Sequence, residues 1–188
     1  DLKGMAEAVH GAGGLLVADS AHGAHFALRP DLFPASAADI ADACNMSAHK
    51  TLGGMTQTAF LAARGRIAGR VDGMLDALGT TSPNYVLLAS LEKCVDDARR
   101  LASGYDRLRA FADELRARHP CLPNDDFTRL VFDCGAGGGA HAAHAFFDRG
   151  IAAEKYDDRY VVFILTPYDD DKGLSALMRA ADAVLGGR

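Results

Sequence analysis

The sequence predicts an α/β protein: a unit built on a mostly parallel sheet with flanking helices, followed by a smaller α+β unit. Three observations lead to this prediction. A helical pattern is followed closely by the apolar run of residues 15–18, which is typical of a strand buried on both faces. Helices and buried strands in alternation favour a parallel sheet. A long helical stripe then separates this region from further strands and helices.

In the first unit, Asp1 is predicted to cap a helix that Gly11 ends. A near-heptad apolar stripe that starts after Ser82 and Pro83 predicts one helix over residues 83–118, with Ser82 as its N-cap. At 1.5 Å per residue this helix would be roughly 50 Å long, so we expect it to join two domains, residues 1–95 and 96–188. The other predicted elements are a short helix at 35–42, strands at 43–47 and 58–62, a helix at 67–78, a strand at 130–134, a helix at 140–149, a strand at 160–165 and a closing helix at 174–185.

Composition excludes several classes of protein. The 188 residues are 49% apolar and 24% charged, which is typical of a globular protein and not of a disordered chain. The formal net charge of −5 does not favour a nucleic-acid partner, because phosphate backbones attract clustered Lys and Arg. No apolar run approaches the ~20 residues that cross a bilayer, so no membrane partner is expected.

The four cysteines form no C-x-x-C pair, which argues against a structural zinc site. Their irregular spacing predicts reduced thiols in a cytoplasmic protein, most of them small buried side chains.

Polar residues follow the first two predicted strands, where α/β proteins bind ligands. Asp19, His22 and His25 have a spacing that suits either a metal site, if the loop folds back, or histidines bonded to the backbone. Lys50, beside His49, is either an amine nucleophile or a surface lysine in a turn. We predict no metal site.

Three weaker patterns lie in the second unit. Residues 135–139 (GAGGG) only superficially match a phosphate loop, and a flexible connector is the favoured interpretation. His141 and His144, one helical turn apart, are expected to be solvated or packed rather than ligands. Residues 169–171 (DDD) predict a helix N-cap.

Four segments, taken together, resemble the Orn/Lys/Arg decarboxylase family. They are residues 19–26 (DSAHGAHF), 47–52 (SAHKTL), 56–58 (TQT) and 80–85 (TTSPNY). The resemblance runs from about residue 1 to 98 and continues more weakly through residues 150–167. It implies the aspartate-aminotransferase fold, called fold type I, with part of a large domain followed by a small C-terminal domain. It also implies pyridoxal 5′-phosphate (PLP) as cofactor, decarboxylation of lysine, arginine or ornithine in amino-acid or polyamine metabolism, and a homodimer or higher homo-oligomer.

The same resemblance implies roles at the ends of the first two strands. Lys50 would form the Schiff base with PLP, and Asp19 would face the ring nitrogen and hold it protonated. Ala21 would pack on the ring face. His22 would bond the phenolic oxygen of PLP or the carboxylate of the substrate.

Further residues are implied to bind the cofactor. Ser47 and His49, on either side of the lysine, would contact the phosphate. The segment Thr80, Thr81 and Ser82 would offer hydroxyl groups and reach the site of the neighbouring subunit.

An acidic residue should bind the side-chain cation of the substrate. The resemblance places Glu154 there, while charge alone makes Asp157 and Asp158 equally suitable. Ser20 stands where many relatives are expected to have an acid. Thr56 and Gln57 match the family, but the sequence gives them no role.

Two alternatives remain open: another fold type I reaction, such as transamination, elimination or aldol cleavage, or a non-catalytic fragment that retains only the fold. We also expect the chain to be incomplete. The Ser/Thr turn that cradles the phosphate and the residue that stacks on the ring should lie upstream of Asp1, so the isolated chain should bind PLP weakly and aggregate or need a complementing piece.

Overall fold

The computed structural model describes residues 1–119 and 121–186. Contacts within the chain divide it into two units, Asp1–Arg100 and Leu101–Arg188. The first unit begins with helix α1 (Leu2–Gly11), and the Asp1 carboxylate accepts a hydrogen bond from the Gly4 amide at 3.1 Å, as predicted for a cap. The unit continues with β1 (Val17–Asp19), a 3-10 turn (Phe26–Leu28), α2 (Ala37–Ile40), β2 (Ala43–Ser47), α3 (Ala48–Thr51), β3 (Ala59–Ala63), α4 (Gly65–Leu78) and α5 (Tyr85–Leu101).

The sheet of the first unit has the strand order β1-β2-β3, in which β1 and β2 are parallel and β3 is antiparallel to β2. Met46 and Phe60 are paired and face the core formed with Leu52 and Cys94. The Cys94 thiol donates to the carbonyl oxygen of Leu52 at 2.9 Å, which fixes α5 above α3. Side chains on one face of the sheet are therefore packed by α5.

The edge strand β1 is more exposed than predicted. Leu15 is 39% exposed and Val17 is 65% exposed, so the prediction that this run is buried on both faces is wrong for the described chain. The physical reason is that, among residues 1–119 and 121–186, β1 pairs only with β2, which leaves its other edge and part of its surface open to solvent.

The single long helix predicted for residues 83–118 is two helices, α5 and α6 (Gly104–Arg118). Ala102 and Ser103 form a turn between them. Ser103 keeps near-helical dihedral angles, with φ −66° and ψ −22°, so the apolar repeat continues across the break. The apolar stripe gives no sign of an interruption of this kind, because the stripe has the same phase before and after the break.

Helix α5 also starts later than predicted. The Asn84 side-chain oxygen accepts hydrogen bonds from the amides of Val86 at 3.0 Å and Leu87 at 3.4 Å, so Asn84 and not Ser82 caps the helix.

The second unit combines a sheet with helices, as predicted for an α+β unit, and its strands pair antiparallel. After α6 come β4 (Arg129–Asp133), α7 (Gly138–Phe147), β5 (Lys155–Tyr156), β6 (Tyr160–Ile164) and α8 (Asp171–Leu185), and the strand order is β4-β6-β5. Phe132, Phe146 and Phe163 meet in its core, with ring centroids 4.8–6.4 Å apart. The Asp170 carboxylate caps α8 by accepting from the Gly173 amide at 2.7 Å, which confirms the predicted N-cap. The two-residue strand β5 was not predicted.

The glycine-rich segment 135–139 is a packed connector. The amide of Gly137 donates to the Asp158 carboxylate at 3.1 Å, and the amide of Gly139 donates to the Asp158 carbonyl oxygen at 3.0 Å. A bound phosphate would need hydrogen bonds from these two amides, but both amides already donate to Asp158. A Cβ atom at Gly139 would lie 2.2 Å from the Asp157 carbonyl oxygen, so only glycine fits there.

All four cysteines are free thiols, and three of them are buried. Burial raises the pKa of the half-buried Cys121 to about 11, so this thiol stays protonated at neutral pH. Within residues 1–119 and 121–186 no helix combines the length and apolar character of a membrane span.

Candidate functional site

The parallel pairing of β1 and β2 brings two predicted site residues to one edge of the sheet. Asp19 ends β1 opposite Asn45, and Ser47 ends β2. The pairing continues past the strands, because the Ser20 amide donates to the Asn45 carbonyl at 3.0 Å and the Ser47 amide donates to the Ala21 carbonyl at 3.2 Å. Asp19, Ala21 and Ser47 therefore lie side by side, although Ser47 is 26 or more positions away from the other two in the sequence.

The turn after β1 holds the Asp19 carboxylate in place. Its Oδ1 atom accepts from the Ala21 amide at 3.0 Å, while the Gly23 amide donates to the Ser20 carbonyl at 2.8 Å. The side chain of Asp19 is exposed, and His22 is exposed in the same turn. An exposed carboxylate with a fixed orientation can meet a ligand without a change in the backbone.

His25 belongs to the core of the first unit. It is 2% exposed, and its ring packs edge-on against Phe26 and Phe33, with centroids 4.8 and 4.6 Å away. His22 is exposed in the turn, so the Asp19, His22 and His25 spacing does not bring a metal-ligand set together. No group of three His, Cys, Asp or Glu residues in the described part of the chain could hold a metal ion.

The predicted lysine lies on the short helix α3, which follows β2 without a loop. The amides of Ala48 and His49 donate to the Thr58 carbonyl at 3.0 and 3.4 Å, and the His49 Nδ1 atom lies 2.9 Å from the same oxygen. Because a carbonyl oxygen can only accept, Nδ1 bears the hydrogen and Nε2 is left for a ligand. Lys50 is exposed, and no hydrogen bond or ion pair engages its amine among the described residues.

One predicted segment of the first unit is not joined to the ends of β1 and β2 by any hydrogen bond between described residues. Thr80, Thr81 and Ser82 form an exposed segment between α4 and α5, in which the Ser82 amide donates to the Thr80 hydroxyl at 3.1 Å. Glu154 belongs to the second unit.

Glu154 is the least engaged of the three acids considered for the substrate cation. The amides of Tyr160 and Arg159 donate to Asp157 at 2.7 and 2.8 Å, and these bonds lower the pKa of its carboxyl group. Asp158 is bonded to the Gly137 amide. Glu154 instead lines a cavity of about 380 Å³ in the second unit, together with Asp169 and apolar side chains.

The donor set at the ends of β1 and β2 suits PLP in its chemistry. Asp19 provides a carboxylate for a protonated pyridine nitrogen, and Lys50 provides a primary amine for an aldehyde. The Ser47 hydroxyl and the His49 Nε2 atom can contact a phosphate. Asp19, Asn45 and Leu61 lie in register on the sheet face opposite the core, where all three are exposed.

Comparison with solved structures defines the class of fold. The N-acetylornithine aminotransferase of Stenotrophomonas maltophilia K279a matches all of this chain and 52% of its own, with a TM-score of 0.68 and 16% identity. The constitutive lysine decarboxylase of Escherichia coli matches 73% of this chain and 27% of its own, with a TM-score of 0.55 and 18% identity. The chain therefore has the mixed α/β fold of the fold type I PLP enzymes, which confirms the predicted fold class.

The family follows from the sequence comparison. The model of the family described as Orn/Lys/Arg decarboxylase, major domain, matches residues 1–113, so the chain belongs to the Orn/Lys/Arg decarboxylase family. The arginine decarboxylase of Bacillus subtilis (strain 168) is 37% identical over 109 residues, which are 54% of this chain and 22% of that protein. The chain thus spans about a fifth of the length of this curated relative.

Thr58, whose carbonyl oxygen accepts hydrogen bonds from α3, is a residue whose role could not be predicted from the sequence. The only signal was the match of residues 56–58 to the family, and that match carries no information about a backbone acceptor.

Proposed function

We propose that this chain provides the cofactor-binding lysine and the ring-facing carboxylate of a PLP-dependent decarboxylase that acts on lysine, arginine or ornithine. The observation that carries the proposal is the placement of Asp19 and the α3 helix with Lys50 after two adjacent parallel strands. Membership of the decarboxylase family supports the same reaction class.

Each side chain has a distinct task in this proposal. PLP, when bound, would accept the electron pair that stays on the substrate when its carboxylate group leaves as CO₂. Lys50 would hold the cofactor through its amine and release it to the substrate amine. Asp19 would keep a proton on the pyridine nitrogen, because an anion nearby raises the pKa of that nitrogen. Ala21 is small enough to leave room for a flat ring.

Polar side chains would anchor the two ends of the bound molecules. Ser47 and His49 would hold the phosphate, His22 would bond the phenolic oxygen or the substrate carboxylate, and Glu154 would receive the substrate cation. We further propose that the protein acts as a homodimer or a higher homo-oligomer. In that assembly, the segment Thr80, Thr81 and Ser82 would serve the neighbouring subunit.

The test is product analysis. The chain, together with a complementing N-terminal piece of a family member, is loaded with PLP and incubated separately with lysine, arginine, ornithine and neutral amino acids. We expect CO₂ release and the matching amine from one of the three basic substrates, above the level of free PLP. Transfer of the amino group without CO₂ would instead support the transaminase alternative, and no reaction above free PLP would contradict the activity.

Asp19→Asn is expected to lower the rate of decarboxylation by about 10- to 1,000-fold while PLP still binds. The amide keeps the shape and the acceptor atom for the Ala21 amide, but it removes the charge that would raise the pKa of the ring nitrogen. Steady-state rates with the best substrate measure the effect, and Asp31→Asn, an exposed acid paired with Arg29, is the control. A rate in Asp19→Asn equal to that of the unmodified chain would show that the carboxylate is not at the ring nitrogen.

A further inference from the structure

The turn between α3 and β3 contains residues 56–58, which match the family but have no role assigned from their sequence. Thr58 is 2% exposed, and its carbonyl oxygen is the shared acceptor for three groups of α3. The Ala48 amide donates at 3.0 Å, the His49 amide at 3.4 Å and the His49 ring at 2.9 Å. One backbone oxygen thus fixes the start of the helix that carries Lys50.

The hydroxyl of Thr58 forms a hydrogen bond within the same turn. Its Oγ1 atom donates to the Met55 carbonyl at 2.6 Å, and the Thr58 amide donates to that carbonyl at 3.1 Å. Gln57, between them, has a φ of 72°, a left-handed conformation that is unfavourable for a residue with a side chain. The two hydrogen bonds from Thr58 to the Met55 carbonyl oxygen offset the energetic cost of this backbone conformation, so the turn keeps it.

Close packing connects the hydroxyl to α3 as well. A Cβ atom at Gly54 would lie 2.5 Å from the Thr58 Oγ1 atom and 3.3 Å from the Ala48 backbone carbon and Cβ atoms. The turn therefore lies directly against the first residue of α3, and a shift of the Thr58 hydroxyl would be transmitted to the helix.

We propose that Thr58 is a positioning residue for Lys50: its hydroxyl fixes the conformation of the turn, and its carbonyl then fixes the His49 ring and the start of α3. The inference rests on the proposed function, in which Lys50 holds PLP. Thr58 itself touches neither cofactor nor substrate in this proposal.

Three substitutions separate positioning from general stability. Thr58→Val removes the hydroxyl at nearly constant volume, and Thr58→Ser restores it. Ser90→Ala is the matched control, because the Ser90 hydroxyl accepts from the Met55 amide at 2.8 Å and so holds the same turn without acting through Thr58.

The experiment measures where PLP attaches. Each full chain is incubated with PLP, reduced with borohydride at set times, digested and analysed by mass spectrometry. The four other lysines serve as internal references: Lys3, Lys93, Lys155 and Lys172. The absorbance band of the PLP adduct is recorded before reduction.

We expect Thr58→Val to slow attachment at Lys50 by about 10- to 100-fold, as a displacement of about 1 Å can do, while the reference lysines are unchanged. Thr58→Ser should return the rate and the absorbance band to those of the unmodified chain, and Ser90→Ala should leave both unchanged. Gly54→Ala, which crowds the Thr58 hydroxyl, should reproduce the loss and provides a second test if Thr58→Val does not fold.

Two outcomes would overturn the inference while the proposed function stands. One is normal attachment at Lys50 in both Thr58→Val and Gly54→Ala. The other is an equal loss in Ser90→Ala, which would mean that any hydrogen bond of the turn, and not those of Thr58 in particular, sets the attachment at Lys50. If the unmodified chain attaches PLP at Lys50 no faster than at the reference lysines, the proposed function fails first and this inference fails with it.

Discussion

In a complete protein, Lys50→Ala is expected to abolish the absorbance band of bound PLP and to lower decarboxylation by a factor of at least about 10³, because no other amine lies on α3. Lys50→Arg should not restore either property, since a guanidinium stays protonated and is a poor nucleophile. The substitution should leave the free energy of unfolding nearly unchanged, because the Lys50 side chain is exposed. Absorbance scans, borohydride reduction and CO₂ release measure the three effects.

Lys3→Ala is the matched control, since Lys3 is also an exposed lysine on a helix of the first unit. It should retain the PLP band and the activity. Borohydride-reducible PLP in Lys50→Ala, at the level found in Lys3→Ala, would disprove the assignment of Lys50.

Gly139→Ala is expected to destabilise the second unit by about 2–4 kcal/mol. The added methyl group would lie 2.2 Å from the Asp157 carbonyl and 3.1 Å from the Arg159 backbone, and neither is a flexible side chain that can move aside. To relieve this close contact, the start of α7 would have to shift away from residues 157–159. That shift would break the hydrogen bond from the Gly139 amide to the Asp158 carbonyl oxygen. Urea unfolding followed by circular dichroism measures the loss.

Gly135→Ala is the control in the same segment. Its added methyl group meets open space, but its φ of 74° is unfavourable for alanine, so we expect a loss of about 1 kcal/mol. Equal losses in the two variants would mean that the close contact at Gly139 is not what requires glycine there.

The sequence correctly predicts the starts of two helices that begin with a capping side chain. Asp1 and Asp170 cap α1 and α8 as expected, because an N-cap depends only on a side chain and an amide three residues later. The order of strands and helices followed from apolar patterning, and the family followed from short motifs. Each of these features depends on residues that are close to one another in the sequence.

Features that depend on neighbours distant in the sequence could not be predicted. The exposure of Val17 reflects the position of β1 at the sheet edge, and a run of apolar residues does not specify that position. The break at residues 102–103 preserves the helical phase and so leaves no periodic signal.

The candidate site also combines features that the local sequence predicts with features that depend on residues distant in the sequence. The sequence by itself determined the residue types, since the segments around Asp19 and Lys50 predict a PLP enzyme of the Orn/Lys/Arg decarboxylase family. Only the tertiary structure decided that Asp19, Ala21 and Ser47 adjoin, and that the Thr58 carbonyl holds the helix of Lys50. The reason is physical: a motif records which chemical groups are present, whereas strand pairing and backbone hydrogen bonds across a turn set the distances between them.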